Sequence, residues 1–374
     1  MFGGIEVNEL IFIHCGDIHL DARFTATGMT DRKAKERRQE LRDVFIRIID
    51  EVIKQKAQLL LISGDLFEHE YVSRNTIEFI ASQFNRISNV KVFISPGNHD
   101  PYVANSYYCT FQWPVNVHIF TNVLEGIYLQ ELDVVVYGVG FSGKYQYESM
   151  LGSLKNIDTA QINILLTHGT LDNISPKCPY HPIMNSEISQ YGFEYAALGH
   201  IHKMTECSEN RIVYCGSPEP LGFDEPGDHG IIVGKVSKTD IVLQFAKMNK
   251  RECITQEINI SDLSTADEVE MRIKERLKTL TDDIVHIRLT GRQNREMDLD
   301  VQLMTSRLWD RCFYLKITDN TYPDYHLEEL CKQYNLKGIF TRKILQEIEK
   351  NHDAQMKEKL FRALYLGLDA LSNE

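Results

Sequence analysis

No two of the eight cysteines form a CxxC pair; they fall singly at positions 15, 109, 178, 207, 215, 253, 312 and 331. A zinc–thiolate knuckle needs closely spaced pairs, so that class of site is excluded. The cysteines read instead as small buried hydrophobes of a reduced protein. Long apolar runs are also missing: none approaches the ~18 residues of a membrane-spanning helix. The N-terminus has no basic stretch leading into an extended apolar one. The expectation is a cytoplasmic protein with no membrane partner. Positive charge is in deficit, with 41 Lys and Arg against 53 Asp and Glu and a net charge of -12. Proteins that coat nucleic acid by charge alone are basic, so a polyanion must here be met by a local patch or by metal ions. Internal repeats and low-complexity tracts are absent.

What is present is ordinary globular composition, 43% hydrophobic and 25% charged over 374 residues, enough for roughly two or three domains with real cores. Five short apolar runs, at 10–14, 59–62, 90–94, 162–166 and 193–198, read as buried strands. Each runs into polar residues beside a glycine. The strings are Gly16-Asp17-Ile18-His19, Ser63-Gly64-Asp65, Pro96-Gly97-Asn98-His99-Asp100, Thr167-His168-Gly169 and Gly199-His200-Ile201-His202. Side chains alternate along a strand, so Asp17 and His19 share one side, as do His200 and His202. Taken singly, a D-x-H is common by chance and a histidine pair is more often surface decoration. Asp65 is placed to bridge two ions or to cap the next helix, but Ser73 is the better cap for the helix carrying Ile77, Ile80 and Phe84. The Pro-Gly turn exposes Asn98, a neutral oxygen ligand, and His99, an acid or charge stabiliser. Asp100 either orients His99 or caps the turn. Asp17, His19, Asp65, Asn98, His168, His200 and His202 together offer nitrogen and oxygen ligands without thiolate, a set suited to Mn²⁺, Fe²⁺ or catalytic Zn²⁺. Two ions ~3.5–4 Å apart can clamp a phosphodiester.

Around these strings, residues 31–56 have helical periodicity through Leu41, Val44, Phe45, Ile48, Ile49, Val52 and Ile53. The first turns carry Arg32, Lys33, Lys35, Arg37, Arg38 and Arg42, either a solvated face interleaved with acids or a phosphate-contacting patch. The aromatic segment 102–116 either walls a cleft and stacks bases or packs under a loop. Segments 117–120, 127–129 and 134–139 read as antiparallel strands of a second sheet, and 211–214, 230–236 and 241–245 complete the sheets. Phe223-Asp224-Glu225 falls in a loop bordering the site. From 252 to 317 a βαβαβ pattern follows, and 326–372 has only helical periodicity, with a stripe at Met356, Leu360, Leu364, Leu368 and Leu371 behind Asp353 as cap. That stripe either packs on its own domain or docks on a partner's coiled coil. The expected domains are 1–250, 251–325 and 326–374.

The series D-x-H, G-D, G-N-H-D, T-H-G and G-H-x-H resembles the calcineurin-like metallophosphoesterases. IFIHCGDIHLDA at 11–22, GDLF at 64–67 and PGNHDP at 96–101 are similar to the SbcD-type DNA repair nucleases and, within them, to the branch called YhaO. The motifs cover roughly 9–225; the later segments match in layout only. The resemblance implies an α/β fold, a four-layer αββα sandwich with a small α+β capping domain and C-terminal helices. It implies a Mn²⁺-dependent 3′–5′ exonuclease with single-strand endonuclease activity, DNA as substrate, and an SbcC-like coiled-coil ATPase as partner; a homodimer is left open. Asp17, His19, Asp65 and His202 would hold one ion, and Asp65, Asn98, His168 and His200 the other. His99 would be catalytic, with Asp100 beside it. Asp21, where many members of the family have glycine, caps the loop on this reading. The competing readings are a phosphoesterase of small or lipid-linked phosphodiesters and a scaffold subunit with weak nuclease activity.

Overall fold

The computed structural model describes residues 9–24, 28–154, 157–172, 180–208 and 211–372; Cys178 lies outside them. The chain divides into two compact units, Met1–Cys253 and Ile254–Glu374. Elements are numbered along the chain. In the first unit one six-stranded sheet joins β1 (Leu10–Cys15), β2 (Leu59–Ile62), β3 (Lys91–Ile94), β4 (Val117–Ile119), β13 (Gly230–Val236) and β14 (Ile241–Lys247), in the order β14-β13-β1-β2-β3-β4. The four from β1 to β4 are parallel, and β13 and β14 extend the sheet antiparallel. The second joins β5 (Glu125–Leu129), β6 (Val134–Val139), β7 (Ile162–His168), β10 (Tyr195–Gly199), β11 (Thr205–Ser208) and β12 (Ile212–Tyr214), in the order β11-β12-β10-β7-β6-β5. Its centre, β6 to β12, is parallel, with β5 and β11 antiparallel at the edges. β8 (Thr170–Leu171) and β9 (Pro182–Ile183) form a short parallel pair.

The segment expected as an antiparallel member of the second sheet is therefore corrected. β4 lies in the first sheet, parallel to β3 with Val92 opposite Val117. The connection that contains α3 (Tyr107–Thr110) is long enough for a parallel crossover, and a three-residue apolar strand carries no signal of which sheet it joins. Parallel strands deliver their C-terminal ends to one edge of a sheet, and it is there that the polar strings begin.

Alternation along β2 shows how the layers close. Leu60 and Ile62 pack with Leu41, Phe45, Ile48, Ile77 and Phe84 of α1 (Asp31–Gln55) and α2 (Arg74–Arg86). Leu59 and Leu61 face the other way, into a core with Phe12, Phe93, Phe120, Leu166 and Tyr195 between the two sheets. Each such side chain contributes ~1.5–3 kcal/mol when fully buried. The outer face of the second sheet is covered by α4 (Asn185–Ser189) and flanking segments, through Leu151, Ile188 and Phe193. Ser73 caps α2, accepting from the Thr76 N–H at 3.2 Å. The apolar stripe of α1 ends at Val52; Ile53 is 49% exposed.

In the second unit β15 (Cys253–Asn259), β16 (Ile284–Thr290) and β18 (Tyr314–Asp319) form a three-stranded sheet in that order, with β16 parallel to β18. α5 (Ala266–Leu277), capped by Thr265 and Glu268, and α6 (Val301–Leu308), capped by Asp300, close over Ile258, Ile273, Val285, Ile287 and Leu308. β17 (Arg292–Gln293) and β19 (Tyr322–Pro323) pair briefly. α7 (Leu327–Lys332), α8 (Leu336–Lys350) and α9 (Ala354–Ser372) follow. Leu364 and Leu368 of α9 are buried against Tyr325, Phe340 and Ile344, so the middle of the apolar stripe packs on its own unit, whereas Met356 at its start is exposed. No helix among the described residues is long and apolar enough to cross a membrane.

Candidate metal centre

The loops that leave β1, β2 and β3 are laced together through backbone. Asp17 N–H donates to Gly64 O at 3.0 Å, and the Ile18 and His19 N–H groups both donate to Asp65 O at 2.9 Å. Buried Asp100 binds the β2 and β3 loops to each other, accepting from the N–H groups of Asp65, Leu66 and Gly97 at 3.0, 2.7 and 2.7 Å and from Tyr108 Oη at 2.6 Å. Of the two sequence readings of Asp100, these bonds are those of a turn cap. The strand ends approach so closely that side chains are excluded. A Cβ on Gly199 would sit 2.0 Å from Ser63 O, and one on Gly64, at φ +96°, would sit 2.6 Å from His168 Nδ1. Asp17, His19, Asp65 and His200 all have positive φ, at 50°, 50°, 51° and 101°. Such backbone costs ~1–3 kcal/mol per residue and persists where the surroundings dictate it.

The side chains carried by these loops converge. Among the described residues three groups of three possible ligands lie within 4.8 Å of one another: Asp17, His19 and His202; His19, Asp65 and His99; and Asp17, Asp65 and His168. Asp65 Oδ2 lies 3.7 Å from His19 Nε2 and 3.4 Å from His168 Nε2, between the groups. Asn98 Oδ1 faces His168 Nε2 at 3.0 Å. His200 belongs to none of the three groups; its ring lies 5.2 Å from that of His168, and its backbone N–H donates to both Asp17 oxygens at 3.0 Å. The structure thus gathers six of the seven expected ligands tightly and sets the seventh beside them.

The outward nitrogens fix the tautomers. His19 Nδ1 meets Glu68 Oε1 at 2.8 Å, His202 Nδ1 meets Glu225 Oε1 at 2.7 Å, and His168 Nδ1 meets Ser63 O at 2.8 Å. Each partner is an acceptor, so each Nδ1 carries hydrogen, and in its neutral form each ring turns a lone pair inward. Yet the Nε2 atoms of His19 and His202 face each other at 3.3 Å. A cation satisfies two such lone pairs together with the carboxylates and the Asn98 oxygen. The donor set therefore fits divalent ions bound by nitrogen and oxygen.

Burial shapes the charges. It pushes Asp17 up to about 6, against the opposing pull of His202, and raises Asp65 well above the usual carboxylate range. It lowers His19 and His200 to about 4, and holds His168 well below the ordinary imidazole value. His202 is also desolvated, but Glu225 and Asp17 outweigh that and raise it to about 9. His99 reaches about 9 chiefly because Glu68 Oε2 accepts from its Nδ1 at 2.9 Å. One carboxylate, Glu68, thus holds both His19 and the 43% exposed His99 side chain.

Glu68 was not singled out by sequence, Glu225 only as part of a loop bordering the site, and His181, whose buried ring bonds His168 O at 2.8 Å, not at all. Asp21 caps α2 through the Ser73 N–H and Thr76 Oγ1, 3.0 and 2.6 Å away. The basic run on α1 is no uniform solvated face: Arg37 is fully buried against Glu40 and Glu219. Tyr107, Tyr108, Phe111 and Trp113 pack on the α1–α2 core.

The sequence profile of the calcineurin-like phosphoesterases matches residues 10–204. The uncharacterized metallophosphoesterase YhaO of Bacillus subtilis is 28% identical over 250 residues, 64% of this chain and 61% of that protein. The DNA double-strand break repair protein Mre11 of Methanocaldococcus jannaschii is 26% identical over 287 residues, 71% of this chain and 73% of that one. Its namesake in Saccharolobus solfataricus is 25% identical over 225 residues, 57% and 55%. The chain spans 61% of the YhaO relative's length and 55% of the S. solfataricus protein's.

Proposed function

The chain belongs to the calcineurin-like phosphoesterase family, whose profile covers residues 10–204, and from that premise we propose that it is a divalent-metal-dependent nuclease that hydrolyses phosphodiester bonds of DNA. The observation that carries the reading is the buried set of inward acceptors, Asp17, Asp65, Asn98 and the Nε2 atoms of His19, His168 and His202. Asp17, His19, Asp65 and His202 would hold one ion, and Asp65, Asn98, His168 and His200 the other, with Mn²⁺ the proposed metal. When bound, two ions supply Lewis-acid polarisation of the phosphate and a nucleophilic water at neutral pH.

The remaining chemistry falls to the chain's own groups. His99 is half exposed and holds its proton through neutral pH because Glu68 faces it, so it is placed to protonate the leaving oxygen or to stabilise charge on the phosphate. Glu68 and Glu225 keep His19 and His202 in the tautomer that turns Nε2 inward. Asp100 keeps the loops of Asp65 and Asn98 in register and acts on the chemistry only through them.

DNA as the substrate is supported by the names of the Mre11 relatives, which are DNA double-strand break repair proteins; 3′–5′ exonuclease and single-strand endonuclease action belongs to the same proposal. In the same proposal the second unit helps to hold DNA. The exposed Met356, Phe361 and Leu366 of α9 take part in binding an SbcC-like ATPase or a second copy of the chain in the cytoplasm. The test offers the full chain, with Mn²⁺, end-labelled duplex DNA bearing a 3′ overhang beside bis(p-nitrophenyl) phosphate. Chelator-sensitive hydrolysis of both is expected. Hydrolysis of the small diester with DNA left intact removes the DNA assignment, and no hydrolysis of either removes the hydrolase.

A further inference from the structure

Three tyrosines step outward from the candidate metal centre. The Tyr180 ring lies 4.7 Å from the His200 ring at 38°. Tyr145 lies 6.1 Å from Tyr180 at 44°, and Tyr147 lies 6.2 Å from Tyr145 at 35°. None is a member of the sheet cores described above. Tyr145 and Tyr147 are 51% and 60% exposed, a large apolar area left in water. We propose that Tyr145, Tyr147 and Tyr180 form a stacking platform for unpaired nucleobases next to the phosphate held at the metal centre. This rests on the nuclease reading and deepens it.

The platform is fastened to the site. Gln146, between the two outer tyrosines, pairs with Tyr180 in an isolated parallel bridge, and the His181 N–H donates to Gln146 O at 2.6 Å. Buried His181 then joins both sides: its Nδ1 donates to His168 O at 2.8 Å, and its Nε2 accepts from the Met150 N–H at 2.9 Å. The segment bearing Tyr145 and Tyr147 is thereby tied to the strand end that carries His168. A base brought onto the outer rings has its backbone led toward the metal ligands.

The chemistry of the surface selects the occupant. Every nucleobase has a π-face, so stacking on tyrosine is tolerant of sequence. It also needs little positive charge, which suits a chain of net charge -12. A base can lie on a side-chain ring only when its face is free, so the platform takes a strand that is single-stranded beside the scissile phosphate, such as an overhang or flap. A blunt duplex presents no such face except at its ends.

The experiment measures fluorescence anisotropy of a labelled oligothymidylate and of a blunt duplex on the full chain, with Ca²⁺ in place of Mn²⁺ to suppress cleavage. The double variant Tyr145→Ala/Tyr147→Ala is expected to lose ~5- to 100-fold in oligothymidylate affinity with blunt-duplex affinity unchanged. The Mn²⁺-induced rise in Tm reports that the metal centre is intact. The double variant Tyr145→Phe/Tyr147→Phe, which keeps both rings, is expected to bind as the wild type does. Undiminished single-strand affinity in the alanine variant overturns the platform, and so does an equal loss in the phenylalanine variant. A wild-type chain that cuts DNA while the alanine variant binds normally overturns the platform alone; a wild-type chain that binds no oligonucleotide overturns the nuclease reading as well.

Discussion

Two clusters of buried charge lie in the first unit, and they are built on opposite rules. In one, Arg37 bonds Glu40 at 2.7 Å and Glu219 at 2.6 Å, and Arg251 returns to Glu40 at 2.7 Å. Burial works against these charges, yet the opposite charges outweigh it, holding Arg37 above its ordinary pKa and Glu40 below its own. In the other, Asp17 and Asp65 are just as buried, but no contact described for them is with Lys or Arg, and burial raises both. The first cluster joins α1 to the loop at Glu219 and pairs its charges within the chain, although Arg37 Nε has no hydrogen-bond partner among the described residues. The second is complete only with added positive charge, which is what marks it as a site.

Replacing a charged group should therefore have opposite effects in the two clusters. The largest effect is expected from Asp65→Asn, which should cost ~10³-fold or more in hydrolysis through loss of bound metal. It should also raise the Tm of the chelator-treated protein, because a buried carboxyl group with no Lys or Arg partner among the described residues is removed. Metal analysis, turnover and melting report the three parts, and full metal content with full activity would falsify the bridging role. Arg37→Met should do the reverse, lowering stability by about 3–5 kcal/mol because it strands buried carboxylates, while leaving the Mn²⁺-induced rise in Tm in place. Shifts of the same sign in denaturant titrations of the two chelator-treated variants would erase the distinction between the clusters.

Glu68→Gln probes the edge of the site cluster. Loss of ~10–100-fold in turnover is expected, as for other groups that orient a metal-ligating histidine. Without the carboxylate, His99 falls from about 9 toward its ordinary value. Its protonated fraction then drops most at mildly alkaline pH, so the deficit should be larger near pH 8 than near pH 6. A deficit independent of pH would show that Glu68 does not serve the His99 proton. The smallest effect concerns protons released on metal binding. Asp17 at about 6 favours its protonated form in the folded chain. Its contribution to apo stability is present at low pH and lost as pH rises from the usual carboxylate range toward 6. Bound cations restore what is lost, so the Mn²⁺-induced stabilisation should grow between about pH 5 and pH 7, by up to ~1.4 kcal/mol per pH unit for each proton released. A constant Mn²⁺ effect over that interval would contradict it.

The ligand strings were legible because each follows a short apolar strand directly, so local pattern and chemistry coincide, as at Asp65 after Leu59–Ile62. Arg37 was legible in principle as well. It lies four and seven residues before Leu41 and Val44, on the buried stripe of α1, but its charge placed it among the solvated residues. Glu68 and Glu225 were not legible. Their partners His99 and His202 are 31 and 23 residues away, across α2 and β3 in one case and β11 and β12 in the other, and no local pattern records such a contact. Nor were the tyrosines, since Tyr145 meets Tyr180, and through it His200, only where residue 146 comes to pair with residue 180.

By itself the sequence determined the strand ends, the candidate ligand residues that follow them and the absence of thiolate from that set, because alternation and composition act over a few residues. The tertiary structure decided which sheet β4 joins, that Asp100 accepts from the N–H groups of two loops, that Glu68 serves two histidines, and that one buried charge cluster is paired with Lys and Arg while the other is not. Those outcomes depend on distances between loops far apart in the chain, and such distances exist only once the two sheets have packed.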